Sequence, residues 1–155
     1  MRRGSPVARP IPPDMKYSSV QIQTMVQHVL KRGKKSTALR VIYGAMDLIK
    51  ERSGKDPLEV FESALRNVSP AMEVRPRRVG GATYQVPMEV GAGRRTTLAI
   101  RWILGAARER SGRSFSDKLA SELIDASNDT GAAIRKRDET HKMAEANRAF
   151  SHYRI

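Results

Sequence analysis

Apolar residues return along this chain at two intervals. From Ser19 onward Ile22, Met25, Val26, Val29 and Leu30 recur three and four positions apart, and Gly33 ends the run. That spacing predicts a first helix, with His28 bordering its core side. A second helix is predicted from about Ser36 to Gly54, with Ala38, Val41, Ile42, Ala45, Met46 and Ile49 on one face. Asp56-Pro57-Leu58-Glu59 opens a third, reading as N-cap, proline at the first helical position and capping-box acid. It should bury Leu58, Phe61, Leu65 and Val68 and stop before Pro70. A fourth runs from about Thr96 to Arg110, where Ala99, Ile100, Ile103, Ala106 and Ala107 share a face and Arg101 and Arg108 lie opposite, with Arg94 in line upstream. A fifth spans about Ser116 to Ser127 on Leu119, Leu123 and Ile124. The last, about Ala133 to Phe150, has only Ile134, Met143 and Phe150 as anchors, so part of it is expected to project.

Between the third and fourth helices the period shortens to two. Residues 72–90, MEVRPRRVGGATYQVPMEV, are rich in β-branched residues around Gly80-Gly81, a pair suited to a two-residue primed turn. Folding there pairs Val79 with Ala82, Arg77 with Tyr84, Arg75 with Val86 and Val74 with Pro87. Pro76 (opposite Gln85) and Pro87 then fall on non-hydrogen-bonded sites, where a missing N–H costs the ladder nothing. Neither face of this ribbon reads as apolar enough to be buried, and an isolated two-stranded ribbon is marginal in water. Three arginines and a tyrosine near its tip suggest a polyanion as the missing support, with bidentate phosphate contacts and a ring to stack on a base. The plainer reading is an exposed edge hairpin kept soluble by charge.

Charge strengthens the first reading. The 155 residues carry 29 Lys and Arg against 16 acids, a formal net charge of +13, which points to nucleic acid before an acidic membrane surface. No stretch approaches the roughly 20 apolar residues a spanning helix needs, and the N-terminus shows no apolar core of a secretory signal. With no cysteine, disulfides and Cys-based zinc sites are excluded.

Residues 1–16 hold four of the eight prolines and Arg2, Arg3, Arg9 and Lys16 against Asp14 alone, the composition of an extended basic arm that could order on a phosphate backbone. The domain proper is expected over 17–155. No acid occurs between Asp14 and Asp47, yet Lys16, Lys31, Arg32, Lys34, Lys35 and Arg40 do. Between Glu89 and Glu109 lie only Arg94, Arg95, Arg101 and Arg108, and Arg135-Lys136-Arg137 opens the last helix. Each cluster alone could be a solvated face; together with the arm and the ribbon they favour a nucleic-acid surface.

Chemistry other than binding has little to stand on. Gly33-Lys34-Lys35-Ser36 feeds a helix N-terminus that suits a phosphate, but it is not a P-loop, since the motif's first glycine would fall on His28. Gly91-Ala92-Gly93 reads as a flexible joint rather than a dinucleotide fingerprint. His28, His141 and His152 are scattered. His141 and Glu145 sit one helical turn apart without a third ligand, so no metal, cofactor or small-molecule substrate is expected, and no enzyme.

Several strings carry a resemblance: Gly33-Lys34-Lys35-Ser36, Asp56-Pro57-Leu58, Val74 through Pro87, Leu98-Ala99-Ile100-Arg101-Trp102, and Met143 through Arg154. On these the chain resembles, over nearly its whole length, the bacterial-type small-subunit ribosomal protein seven family. The resemblance implies a mainly α fold, six helices with an extended β-hairpin between the third and fourth. It implies a primary binder of 16S ribosomal RNA that nucleates assembly of the subunit head beside neighbouring head proteins, in the cytoplasm or an organelle. It also sets the ribbon tip (Arg78, Gly80, Gly81, Tyr84) and the last helix (Lys142, Arg148) near messenger and tRNA at the exit site. Gln27, Lys31-Arg32 and the terminal Ile155 depart from the common pattern and leave the lineage open. Without the resemblance, the alternative is a DNA-architectural protein whose basic ribbon enters a minor groove.

Overall fold

Ser19 starts the first helix by accepting a hydrogen bond from the Ile22 amide at 3.4 Å, so α1 (Val20–Val29) begins where its apolar period does. The computed structural model describes residues 4, 7 and 9–153; Arg2, Arg3, Arg154 and Ile155 lie outside them. α2 (Lys35–Ser53) ends on Gly54, whose φ of 65° gives the left-handed stop expected of a glycine. α3 (Pro57–Val68) starts with proline at its first position. Asp56 holds the N-cap place but makes no side-chain cap bond, so the capping box read from Asp56 and Glu59 does not form; Pro57 alone sets the entry.

β1 (Met72–Val79) and β2 (Ala82–Glu89) form an antiparallel hairpin in the register the prolines required, with Val79 opposite Ala82, Pro76 opposite Gln85 and Val74 opposite Pro87. Gly80 and Gly81 both take positive φ, 57° and 87°, the requirement of the primed turn. α4 (Ala92–Glu109) starts four residues earlier than the apolar period implied, and Gly91-Ala92-Gly93 is its N-cap and first turn rather than a flexible joint. The buried Val90 anchors the junction and the Arg95 amide bonds to the Gly91 carbonyl, leaving no room for a hinge.

α5 (Phe115–Ser127) is the element the others gather on: it packs against α2, α3 and α4 through fully buried Leu119, Ala120, Leu123 and Ala126. A Cβ at Gly44 of α2 would lie 3.3 Å from Ser116 Oγ, and that hydroxyl donates to the Val41 carbonyl, so α2 and α5 meet backbone to side chain. Ile22, Ile42, Ile49, Phe61, Ile100 and Ile103 fill the rest of the core.

α6 (Ala132–Ala146) is shorter than its sequence suggested, and its end does not project. Asn147 closes the helix through bonds from its backbone and side-chain nitrogens to the Met143 carbonyl, and residues Arg148–Tyr153 tighten into a 3-10 helix packed on β2. Met143, expected as an anchor, is 47% exposed. His28 likewise turns outward, its Nδ1 2.9 Å from the Thr24 carbonyl, instead of bordering the core.

The ribbon is not without protein support, as its two faces had suggested. Its base packs on α6 and the 3-10 segment, with Val86 and Pro87 buried. Tyr84 stacks beside Tyr153, centroids 5.0 Å apart, and lies 5.3 Å from Phe150. The apolar partners of this hairpin come from the far end of the chain, which the strand pattern alone cannot show.

Candidate nucleic-acid interface

α4 separates core from cations within one turn. Ile100 and Ile103 are fully buried, while Arg101 and Arg108 stand in solvent, as the helical wheel requires. Arg101 and Lys136 of α6 border one recess, floored by Trp102, Gly105 and Ala132, so α4 and α6 present basic groups side by side. Arg135 and Lys136 are exposed, and Lys136 Nζ lies 3.6 Å from Glu139. Arg137 is different. Its side chain is 19% exposed and donates to the Asn67 carbonyl, Asp129 and Asp138. Burial opposes its charge, but the bonds to Asp138 and Asp129 outweigh that and raise its pKa. Arg137 ties α6 to the end of α3, and its fork is spent on the protein.

At the α1–α2 connection, Lys31, Arg32, Lys34 and Lys35 are all exposed. Arg32 and Gly33 take φ of 54° and 72°, which turns the chain sharply beneath the cations. α2 then begins at Lys34 with no side-chain cap bond. Lys16 is more engaged: Nζ lies 3.1 Å from Asp47 and 5.2 Å from the Tyr43 ring centre, and the bond to Asp47 raises its pKa. Beside it Asp14, only 3% exposed, accepts from the Lys16 and Tyr17 amides and from the Tyr43 hydroxyl at 2.6 Å. Burial, and then the Asp14 carboxylate, push Tyr43 up to about 12. This acid pins the end of the arm to α2. Arg9 is exposed, and Arg2 and Arg3 lie outside the described residues.

On the ribbon, Arg75 and Arg78 are exposed and Arg77 is half-buried. The sequence reading passed over Glu73, which gathers two of the arginines. Its side chain is 10% exposed and accepts from Arg75 Nε at 2.5 Å and from Arg94 Nε at 2.9 and 3.0 Å. Arg95 instead donates its Nε to the Val90 carbonyl. One signal was available: Glu73 opens a strand that otherwise carries only arginine charges.

The expected exit-site set divides in two. Arg78, Gly80 and Gly81 lie at the tip, whereas Arg148 lines an open recess of about 390 Å³ with Met72, Pro87 and His141 at the ribbon base. Roughly 23 Å of strand separates tip from base, at about 3.3 Å per residue. Lys142 is exposed on α6. Tyr84, read as a free ring for a base, is committed to Phe150 and Tyr153. Near the core Arg110 donates to the fully buried Glu122 and to Asp125; burial opposes its charge and these bonds overcome it, raising its pKa. Among the described residues no group of three His, Asp or Glu could hold a metal, and no helix is long and apolar enough to cross a membrane.

The profile of the ribosomal protein S7p/S5e family matches residues 1–148. The small ribosomal subunit protein uS7 of Thermomicrobium roseum is 59% identical over 153 residues, covering 99% of this chain and 98% of its own. That of Arthrospira platensis is 59% identical over 146 residues, 94% of each, and that of Thermotoga petrophila 57% over 154 residues, 99% of each.

Proposed function

Because this chain belongs to the ribosomal protein S7p/S5e family, we propose that it is a structural constituent of the small ribosomal subunit that binds 16S ribosomal RNA and nucleates assembly of the subunit head. The family is one of ribosomal proteins, in keeping with a non-enzymatic role. The observation that carries the RNA-binding reading is the exposed arginine face of α4, continued by Lys136 on α6 and by Arg75 and Arg94 at the ribbon base. Guanidinium groups there can meet phosphate oxygens bidentately, and phosphate contacts dominate affinity. Lys31, Arg32, Lys34 and Lys35 add a second patch, and the arm with Arg2, Arg3 and Arg9 a third. Arg137 and Lys16 enter as supports, since their charges are already shared within the protein.

At the far end of the ribbon, Arg78 and the Gly80-Gly81 turn would meet tRNA and messenger at the exit site, with Lys142 on α6 and Arg148 on the 3-10 segment bordering the path nearer the ribbon base. Tyr84 serves this role by anchoring the tip to Phe150 and Tyr153 rather than by stacking on a base.

Filter binding to the 3′ domain of 16S RNA tests the reading. With about eight phosphates neutralised, log K should fall against log salt with a slope on the order of −6 to −7. Removing Arg2, Arg3 and Arg9 should flatten the slope without changing helical circular dichroism. A slope near zero, or equal affinity for duplex DNA of the same length, would overturn it. The exit-site role is tested separately, by tRNA retention and frame maintenance in subunits assembled with Arg78→Ala; unchanged values in both would remove it.

A further inference from the structure

An acid inside a surface meant for phosphate should weaken binding, yet Glu73 sits at the base of the ribbon. We propose that Glu73 is a positioning residue for RNA: it holds the guanidinium groups of Arg75 and Arg94 so that both face one stretch of phosphodiester backbone. This rests on the RNA-binding reading above.

The geometry supplies the argument. Both arginines meet Glu73 through Nε, Arg75 at 2.5 Å to one carboxylate oxygen and Arg94 at 2.9 and 3.0 Å to both. A guanidinium carries five N–H donors, one of them on Nε. Glu73 holds each group through Nε, and among the described residues the terminal nitrogens of Arg75 and Arg94 make no hydrogen bond to a protein acceptor. Glu73 is 10% exposed, whereas the two arginine side chains are 48% and 46% exposed. The carboxylate is therefore sheltered and the forks are open.

The two arginines belong to different elements, β1 and the first turn of α4, so a single carboxylate also fixes the spacing between ribbon and helix. Two long side chains lose their rotamer freedom on folding rather than on meeting RNA, which lowers the entropy cost of binding. The trio keeps a net charge of +1, since one negative carboxylate is set against two guanidinium cations.

Glu73→Gln separates positioning from plain electrostatics, because the two disagree in sign. Removing one negative charge a few ångströms from phosphate should tighten binding about two- to threefold by Coulomb attraction alone. If Glu73 positions the forks, the variant binds the 3′-domain fragment about three- to tenfold more weakly, the coupling expected of groups in one hydrogen-bonded network. In an Arg75→Ala/Arg94→Ala background the same change should no longer weaken binding. Tighter or equal binding by Glu73→Gln overturns the proposal. So does a loss that persists in the double-alanine background, which would mark Glu73 as a structural tie. A measurement on wild-type protein needs no variant: the Nε–H signals of Arg75 and Arg94 should exchange slowly by NMR before RNA is added, and fast exchange overturns the proposal. If the wild type fails to bind at all, the RNA-binding reading falls and this inference with it. Wild-type binding with a gain in Glu73→Gln removes this inference alone.

Discussion

Ile103 and Arg101 lie two residues apart on α4 and should fail in opposite ways. Ile103 is 0% exposed in the core, so Ile103→Ala removes three buried carbons, about 2.4 kcal/mol at roughly 0.8 kcal/mol per methylene. If the site does not collapse, a void of roughly 80 Å³ adds up to about 1.9 kcal/mol at about 24 cal/mol per Å³. The expected loss is therefore about 2.4–4.3 kcal/mol, a fall in melting temperature of roughly 5–17 °C for a chain of this size. Arg101 is exposed at the rim of a surface recess; Arg101→Ala should stay within about 0.5 kcal/mol of wild type. In RNA binding the order reverses. Arg101→Ala should flatten the salt slope by about 1, the signature of one lost phosphate contact, while Ile103→Ala measured well below its melting point should keep the wild-type slope. Scanning calorimetry and filter binding over a salt series read both quantities. Swapped phenotypes would show that α4 is rotated about its axis, and the assignment of its basic face to RNA would fall with the rotation.

Three further outcomes are expected. Gly81→Val should strain the ribbon tip by about 1–2 kcal/mol, because φ is 87° there and a β-branched residue resists the left-handed region; nothing lies within 4 Å of an added Cβ, so unchanged turn resonances would refute a purely conformational cost. Tyr84→Ala should remove about 1–3 kcal/mol of ring packing against Phe150 and Tyr153 and speed hydrogen exchange at residues 82–89, while unaltered exchange would mean the rings do not hold the ribbon. Tyr43 has a folded pKa of about 12, raised from 10.0, so its contribution is fully present below pH 10 and is lost as pH rises through about 12; Tyr43→Phe should flatten alkaline unfolding across that window, and an unchanged profile would refute the role.

How much of this was legible depended on whether a residue's partner lay nearby in the chain. Ile22, Ile42, Phe61, Ile103 and Leu119 announced their faces by period alone, and the ribbon register followed from where Pro76 and Pro87 can be tolerated. The failures are of two kinds: local geometry that periodicity does not record, as at Asp56, His28 and the start of α4, and partners distant in the chain. α4 starts at Ala92 because buried Val90 pins its entry, which no local period records. The chain after Asn147 tightens because Phe150 and Tyr153 find Tyr84 more than 60 residues earlier, so a charged, weakly apolar stretch that read as projecting folds back instead. Replacing residues 75–86 would therefore uncover the surfaces of α6 and the 3-10 segment on which the ribbon packs. Within the candidate interface the cations themselves were plain in the sequence. Which of them bond carboxylates (Arg137 to Asp129 and Asp138 with its whole fork, Arg94 to Glu73 through Nε alone) was not, because charge counting ignores direction.

One buried carboxylate bears on how the last elements of the chain are held. α6 has no side-chain cap of its own; its Ala133 amide is met at 2.9 Å by Glu122 of α5, which is fully buried and also holds Arg110. The start of the last helix is thus satisfied by a side chain from α5 rather than by its own sequence. The ribbon leans on α6 and on the segment that follows it, so its rigidity is inherited at third hand from a glutamate it never touches. A lesion at Glu122 would loosen two joints at once, the start of α6 at Ala133 and the tie from α5 to Arg110 at the end of α4.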